Sequence, residues 1–443
     1  MTSAEKPADG RARSKKKSNG TEPRRVAIIG GNRIPFARSN GPYSHASNQD
    51  MFTAAIDGLV SRFALQEERI GEVSGGAVLK HARDFNLVRE SVLGSALSAH
   101  TPASDVQMAC GTGLQAVVNV ANKIALGQAE SAIAGGVDTT SDAPLAVNDD
   151  LRKILVQLNA TKSNAERVKL LGKIRPGHIV PEIPQNSEPR TGMSMGEHAA
   201  RTAKAWNVGR QEQDEFAAGS HRKLAAAYER GFFDDLVTSY LGQTRDQNLR
   251  PDSTAEKLAK LKPVFGGSDG TMTAGNSTPL SDGASAVLLA TEEWAAARNL
   301  PVLAYLTFAE TGAVDYVHGD EGLLMAPTYA VPRMLDRAGL TLQDFDFYEI
   351  HEAFASQVLT TLKAWEDPEF AKDRLGRDEA PGAIDQTKLN VNGSSVAAGH
   401  PFAATGGRIT ATLAKLLAEN GSGRGLISVC AAGGQGITAI LER

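Results

Sequence analysis

The sequence predicts an α/β protein made of two halves that repeat one plan. Apolar strand-like runs alternate with helical patterns near both ends of the chain, as βαβ units do. Glycine is abundant, at 44 of 443 residues, and much of it stands beside Ala and Ser where strands meet helices. The order Cys110, helix, "SAIAGGVD" is paralleled by His400, helix, "GLISVCAAGG". That parallel of pattern, rather than of residue identity, points to internal duplication.

The first 25 residues, "MTSAEKPADGRARSKKKSNGTEPRR", are polar and basic with no apolar run. This predicts a disordered basic tail over 1–25 and speaks against a secretory signal. The fold opens on "RRVAIIGGNRIPF": a short strand, then Gly30-Gly31, then a loop holding Pro35. No G-x-G-x-x-G follows, so a dinucleotide site is set aside. "NQDMFTAAIDGLVSRFAL" has the period of an amphipathic helix, with Asn48 or Asp50 near its cap. "VSGGAVLK" and "DVQMA" read as strands. Residues 112–128 read as a helix that is small or apolar nearly all round and therefore buried. "SAIAGGVDT" is the strand that follows.

The texture changes over 146–265, which is charged and rich in loops. "QEQDEFAAGSHRKLAAAYERGFF" reads as a surface helix, and "LRKILVQLNATKSNAERVKLLGKI" as a basic amphipathic one. The basic stretch near 151–175 is either a solvated face or a contact for a partner or a membrane surface. From 266 the small-residue texture returns. "PVLAYLTFAETGAV" is a strand, "APTYAVPRMLDRAGL" a helix, and "FDFYEIHEAFASQVLTTLKAW" strand, turn and helix. The last run is loop, buried small-residue helix, strand, glycine turn and strand. The expected division is a first half over 26–145 and 266–292, an inserted, mostly helical loop domain over 146–265, and a second half over 293–443.

Composition narrows the function. A formal charge of −4 gives no electrostatic reason to bind nucleic acid, and aromatic residues are too sparse for base-stacking platforms. No apolar run reaches the length of a transmembrane segment. Two cysteines make no disulfide framework, and no His/Cys spacing matches a metal site, so no metal is expected. A reducing, cytoplasmic setting fits this cysteine usage.

Both cysteines stand beside glycines. Cys110 heads the buried helix in "ACGTGLQA", where unpaired N–H groups and the helix dipole would favour a thiolate. A small buried hydrophobe is the alternative there. His400, in "AAGHPFAATGG", holds the matching place in the second half and can take a thiol proton or donate to an oxyanion. Cys430 ends a strand before Gly433 and Gly434, where a thiol can shuttle a proton or simply fill the core. His351 and Glu352 follow a strand and open a helix; they can hold a water or a carbonyl, or Glu352 can merely cap the helix.

Together these blocks resemble the thiolase family. "ACGTGLQA", "EIHEAFA", "GHPFAATGGR" and "CAAGGQG" match its four motif blocks in order. "RIPFAR", "GGVDTTS", "SMGEHAARTA" and "TAGNSTPLSDGAS" extend the likeness over about 26–443. The resemblance implies a duplicated fold, five-layered α-β-α-β-α, with the loop domain over a coenzyme A site. It implies a 3-ketoacyl-CoA and CoA exchanged by ping-pong acyl transfer, with CoA a substrate and no other cofactor. Cys110 would be the nucleophile, His400 its activator and Cys430 the proton shuttle. One oxyanion hole would use His400 and position 351, the other the backbone N–H groups of Cys110 and Ala432. Met195, Thr278 and Phe354 match positions that line the CoA pocket. His351 departs from the usual Asn, and "HEAF" resembles the β-subunit type found in trifunctional complexes. A homodimer or homotetramer, and a hydratase/dehydrogenase partner subunit, follow from that resemblance. The competing readings are a decarboxylating, ketosynthase-like condensing enzyme and a non-catalytic acyl-CoA-binding scaffold.

Overall fold

The computed structural model of the chain describes residues 23–443, so the tail expected over 1–25 lies outside them except for its last three residues. Strand β1 (Val26–Arg33) and the two-residue β2 (Ala37–Arg38) open the fold. There follow α1 (Asn48–Phe63), β3 (Glu72–Gly75), α2 (Leu87–Gly94), β4 (Ala103–Asp105), α3 (Thr112–Ala125) and β5 (Ser131–Asp138). Helices α4 (Asp149–Ala160), α5 (Asn164–Leu171), α6 (Met195–Ala205), α7 (Arg210–Glu229) and α8 (Ala255–Leu258) come next, then the short pair β6 (Pro263–Phe265) and β7 (Met272–Thr273). Strand β8 (Ser281–Ala290) and α9 (Glu292–Ala296) return the chain to the sheet. The remainder is β9 (Ala304–Ala313), α10 (Ala326–Ala338), β10 (Phe347–Ile350), α11 (Ala355–Glu366), α12 (Pro368–Phe370), α13 (Ser395–Ala398), α14 (Ala404–Asn420), β11 (Arg424–Ala431) and β12 (Gln435–Glu442).

Ten strands make one sheet in the order β10-β11-β12-β9-β1-β8-β5-β3-β4, with β2 paired to β8. The duplication is visible in this order. In the first half a parallel pair, β3 and β5, is followed by antiparallel β8 and β1. In the second a parallel pair, β10 and β11, is followed by antiparallel β12 and β9. Strand β1 pairs with β9, Val26 opposite Leu306, and joins the halves.

Alternation along the strands sets the layers. Ala132 and Ala134 of β5, and Ile427 and Val429 of β11, face one shared core with α3 and α14. Ile133 and Val137 of β5 face the opposite way, onto Phe52 and Ile56 of α1. Leu426 of β11 and Ile440 of β12 join an outer core that includes Val331 of α10 and Trp365 of α11. Helices α3 and α14 thus lie between the two halves, the five-layered arrangement expected.

Several local expectations are corrected. Strand β1 runs through Gly30 and Gly31 instead of ending there. A Cβ on Gly30 would lie 2.4 Å from Phe63, and one on Gly31 2.4 Å from the Cβ of Ala411, so the glycines admit neighbours and make no turn. The cap of α1 is Ser47, whose side chain accepts from Asp50 N–H in a capping box. Strand β3 stops at Gly75, because the N–H groups of Val78 and Leu79 go to the Asp138 carboxylate and not to a sheet partner. Strand β4 covers Ala103–Asp105 only, the chain turning at Ala109. The basic stretch is two helices, α4 and α5. Helix α7 is the surface helix expected: Gln211, Glu215, Arg222 and Glu229 are exposed, while Ala217, Ala218, Leu224 and Tyr228 are buried on its other face.

Candidate active site

Cys110 sits just before α3, whose cap residue is Gly111. Ala109, next to it, takes φ +45°, a left-handed conformation that costs a non-glycine residue about 1–3 kcal/mol. Thr112 holds this turn: its hydroxyl accepts from Met108 N–H at 2.9 Å and donates to Ala109 C=O at 2.7 Å. His400 is placed by the loop before α14. Its N–H donates to Ser281 Oγ, and the N–H of nearby Ala403 donates to Asp138 at 2.8 Å. Asp138 therefore ties the His400 loop to the end of β5.

The two helix starts converge. His400 Nε2 lies 3.0 Å from Cys110 Sγ, and His400 Nδ1 lies 2.6 Å from Thr405 Oγ1. The His351 ring, at the end of β10, stands 4.1 Å from the His400 ring, centroid to centroid. Ligating atoms of Cys110, His351 and His400 all fall within 4.8 Å of one another, and all three residues are buried. The backbone N–H groups of Ala432 and of Cys110 act on the Cys110 sulfur. Cys430, near the end of β11, is buried and feels the Cys110 thiol.

Burial reverses the charge expected at Cys110. The helix terminus was expected to favour a thiolate; desolvation instead pushes the thiol up to about 12, against the pull of the Ala432 and Cys110 N–H groups. Burial and the Arg408 charge push His400 down to about 3, so its ring is neutral at pH 7. Burial also raises the Cys430 thiol and lowers His351. The site is a neutral thiol in contact with a neutral imidazole, with backbone donors beside them. That arrangement can pass a proton from sulfur to nitrogen as the sulfur attacks a carbonyl.

Glu352 is buried and fully engaged, accepting from Ser220 Oγ, Asn390 Nδ2 and Val396 N–H. It ties α7 to the loops around His351 and neither caps α11 nor holds a carbonyl. Met195 and Phe354 share an apolar cluster with Cys430, and Phe265 packs edge-on to Phe354. Thr278 lies beside them, its hydroxyl donating to Ala353 C=O at 3.0 Å. A cleft of about 660 Å³ runs along α6 and the 266–271 loop, with Arg201 and Lys204 among its lining residues.

Family models for the thiolase N-terminal domain and the thiolase C-terminal domain match residues 26–293 and 300–443. The chain belongs to the thiolase family. A 3-ketoacyl-CoA thiolase of Yersinia pestis (strain Pestoides F) is 40% identical over 424 residues, covering 94% of this chain and 97% of that one. The same figures hold for a 3-ketoacyl-CoA thiolase of Yersinia pseudotuberculosis serotype O:1b (strain IP 31758). Among solved structures, the Bacillus anthracis acetyl-CoA acetyltransferase superposes with a TM-score of 0.78 at 29% identity, over 95% of this chain and 99% of that one. Human mitochondrial 3-ketoacyl-CoA thiolase in complex with CoA gives 0.78 at 29% identity, over 95% and 98%.

Sequence reasoning missed several residues that hold this thiolase-family site together. Asp138 anchors the His400 loop. Glu188 accepts from Gly433 N–H at 3.0 Å and from Tyr316 OH at 3.1 Å, so it pins the glycine turn after Cys430. Ser395 and Arg408 stand behind His351. The one signal for Asp138 was an acidic residue closing an otherwise apolar strand.

Proposed function

We propose that the chain is a 3-ketoacyl-CoA thiolase. It converts a 3-ketoacyl-CoA and CoA into acetyl-CoA and an acyl-CoA shortened by two carbons, and in reverse performs a Claisen condensation. The observation that carries this is the 3.0 Å contact between His400 Nε2 and Cys110 Sγ, in a chain that matches both thiolase domains.

Cys110 Sγ attacks the C3 carbonyl of the substrate while His400 Nε2 takes the thiol proton. The C2–C3 bond then breaks, leaving an acyl thioester on Cys110 and the enolate of acetyl-CoA. Cys430 protonates C2 of that enolate, and acetyl-CoA leaves. The CoA thiol then attacks the acyl-Cys110 thioester, releasing acyl-CoA and restoring the Cys110 thiol. The CoA thiol's proton returns Cys430 to the neutral form, and the proton held on His400 Nε2 returns to Cys110 Sγ as it leaves the acyl group. In this scheme the N–H groups of Cys110 and Ala432 stabilise the oxyanion at the acylated sulfur, and His351 and His400 the other. A second thiol, Cys430, has no part in decarboxylating condensation, which places that reading behind thiolysis.

CoA is a substrate in this scheme. Met195, Thr278 and Phe354 line its approach, and the cleft with Arg201 and Lys204 offers cations for its phosphates. The edge position of β4 and the exposed Phe85 support association with a second copy. Leu155, Val156 and Val168 are exposed on the basic α4–α5 pair, which makes it the candidate contact for a hydratase/dehydrogenase subunit. No described helix is long and apolar enough to cross a membrane. The two free thiols suit a reducing compartment such as the cytoplasm.

The test is intact-mass spectrometry after mixing enzyme with 3-ketoacyl-CoA and no free CoA, wild type beside Cys110→Ala. An acyl adduct mapped to Cys110, absent from the variant and discharged by CoA, is the expected result. Folded, reduced protein that forms no adduct at any chain length would overturn the mechanism. In steady state, Cys110→Ala should lose at least ~10⁴-fold in kcat.

A further inference from the structure

We propose that Ser395 and Arg408 lock His351 in the tautomer that carries its proton on Nε2, so that His351 donates directly to the oxygen where negative charge develops. The proposal rests on the acyl-transfer function given above. Ser395 and Arg408 are positioning residues in it, because neither reaches the reacting atoms.

Arg408, on α14, is buried, and a guanidinium keeps all its protons. Its Nη2 donates to Ser395 Oγ at 2.8 Å and to Ser394 Oγ at 3.1 Å. Ser395 Oγ therefore spends a lone pair on Arg408, and its single hydrogen must point elsewhere. Among the described residues, the only acceptor in reach is His351 Nδ1, at 2.8 Å. If Nδ1 carried the proton instead, the Ser395 hydroxyl hydrogen would be buried with no acceptor, which is disfavoured. Nδ1 is thus the acceptor, and the one proton of a neutral ring sits on Nε2.

His351 is completely buried, and its Nε2 has no hydrogen-bond partner within the described protein. An unpaired N–H beside Cys110 and His400 is a donor waiting for a ligand oxygen. Burial, the His400 ring and Arg408 all hold His351 neutral. Glu349, two residues earlier on β10, does not draw the guanidinium away: neither of its carboxyl oxygens has a hydrogen-bond partner. His400 is built differently. Its Nδ1 meets Thr405 Oγ1 at 2.6 Å, and among the described residues no cation donates to that hydroxyl, so no guanidinium takes up one of its lone pairs. The two histidines divide the work: His351 is a fixed donor and His400 the proton carrier.

The test begins with nitrogen-15 NMR of histidine-labelled full-length enzyme at pH 7. The His351 signal is assigned by its loss in His351→Asn, one of nine histidines in the chain. The expected spectrum has His351 neutral, Nδ1 unprotonated and Nε2 protonated. Ser395→Ala should lose this preference and lower kcat roughly 10- to 100-fold, less than outright loss of an oxyanion donor, with KM changed under about 2-fold. Ser395→Thr keeps the hydroxyl and should restore both the tautomer and most of kcat. A wild-type His351 with its proton on Nδ1, or full kcat in Ser395→Ala, would overturn the proposal. The NMR result needs no turnover. An Nε2–H His351 in an enzyme that forms no acyl adduct would support the lock and count against the acyl-transfer reading.

Discussion

At the residue scale, burial decides the chemistry of each titrating group. A histidine in water titrates near 6.5, whereas His400 is pushed to about 3. It remains a free base well below neutral pH. His400 should therefore impose no loss of kcat/KM from pH 7.5 down to about 5; burial raises Asp138, which anchors the His400 loop, to about 7, so the profile is measured in Asp138→Asn as well, and a half-loss near 6.5 that persists there would show an ordinary histidine at work. The stability consequence has a definite sign. Below 6.5 the unfolded chain binds a proton that folded His400 refuses until about pH 3, so its stabilising contribution is present above 6.5 and lost between 6.5 and 3. Glu349 works the other way. Burial raises its carboxyl from 4.5 to about 8, so the folded state binds the extra proton between those values and stability declines as pH rises through them. Glu349→Gln removes that penalty. Its unfolding free energy should exceed that of wild type by a margin that grows from pH 5 to pH 8, on the order of a few kcal/mol at most, read from denaturant unfolding at each pH. A margin constant with pH would mean that Glu349 is already ionised in the fold.

At the element scale, the distance between Cys110 and His400 is set by how closely α3 and α14 approach. A Cβ on Gly406 would lie 2.1 Å from Leu114 N, and one on Gly113 2.4 Å from Ala403 C=O. Backbone meets backbone there, so neither helix can yield by moving a side chain. Gly406→Ala should cost about 1–3 kcal/mol and also lower kcat, because both reactive groups sit at the starts of the separated helices. Gly177→Ala, at a site with no atom within 4 Å of the added methyl, is the control. Urea midpoints and kcat measured on both variants check this; unchanged kcat in a destabilised Gly406→Ala would separate packing from catalysis. These elements were largely legible in the sequence, since glycine, small residues and apolar period all mark helices that pack closely. Their ends were less so: β3 and β4 stop early because Asp138 and the Ala109 turn claim their backbone, and neither is signalled by local pattern.

At the scale of the whole molecule, long-range polar contacts hold the halves and the intervening helices in register. Arg33, at the end of β1, forms a two-pronged ion pair with Asp246 at 2.6 and 2.7 Å, and both side chains are buried. Asp246 also accepts from Phe36 N–H and Tyr228 OH. Asp246→Ala leaves Arg33 charged and unpaired in the interior, and should destabilise by about 3–5 kcal/mol. Denaturant unfolding would read this directly; a loss under 1 kcal/mol would mean that water reaches Arg33. The same long reach explains what the sequence hid about the site. Cys110, His400, Cys430 and His351 could be picked out because they are reactive side chains beside glycines or at a strand end. Asp138 and Glu188 could not, because their partners Ala403 and Gly433 lie 265 and 245 residues away.

By itself the sequence determined the alternating pattern, the repeated plan, the family blocks and the short set of reactive residues, because all of these are written in neighbouring side chains. Only the tertiary structure decided that the Cys110 thiol is held neutral, that His400 is a free base in contact with it, and that the Ser395 hydroxyl turns its hydrogen toward His351. Those properties depend on which groups are buried together and on who donates to whom across hundreds of residues, and neither burial nor a long-range hydrogen bond is a property of local sequence.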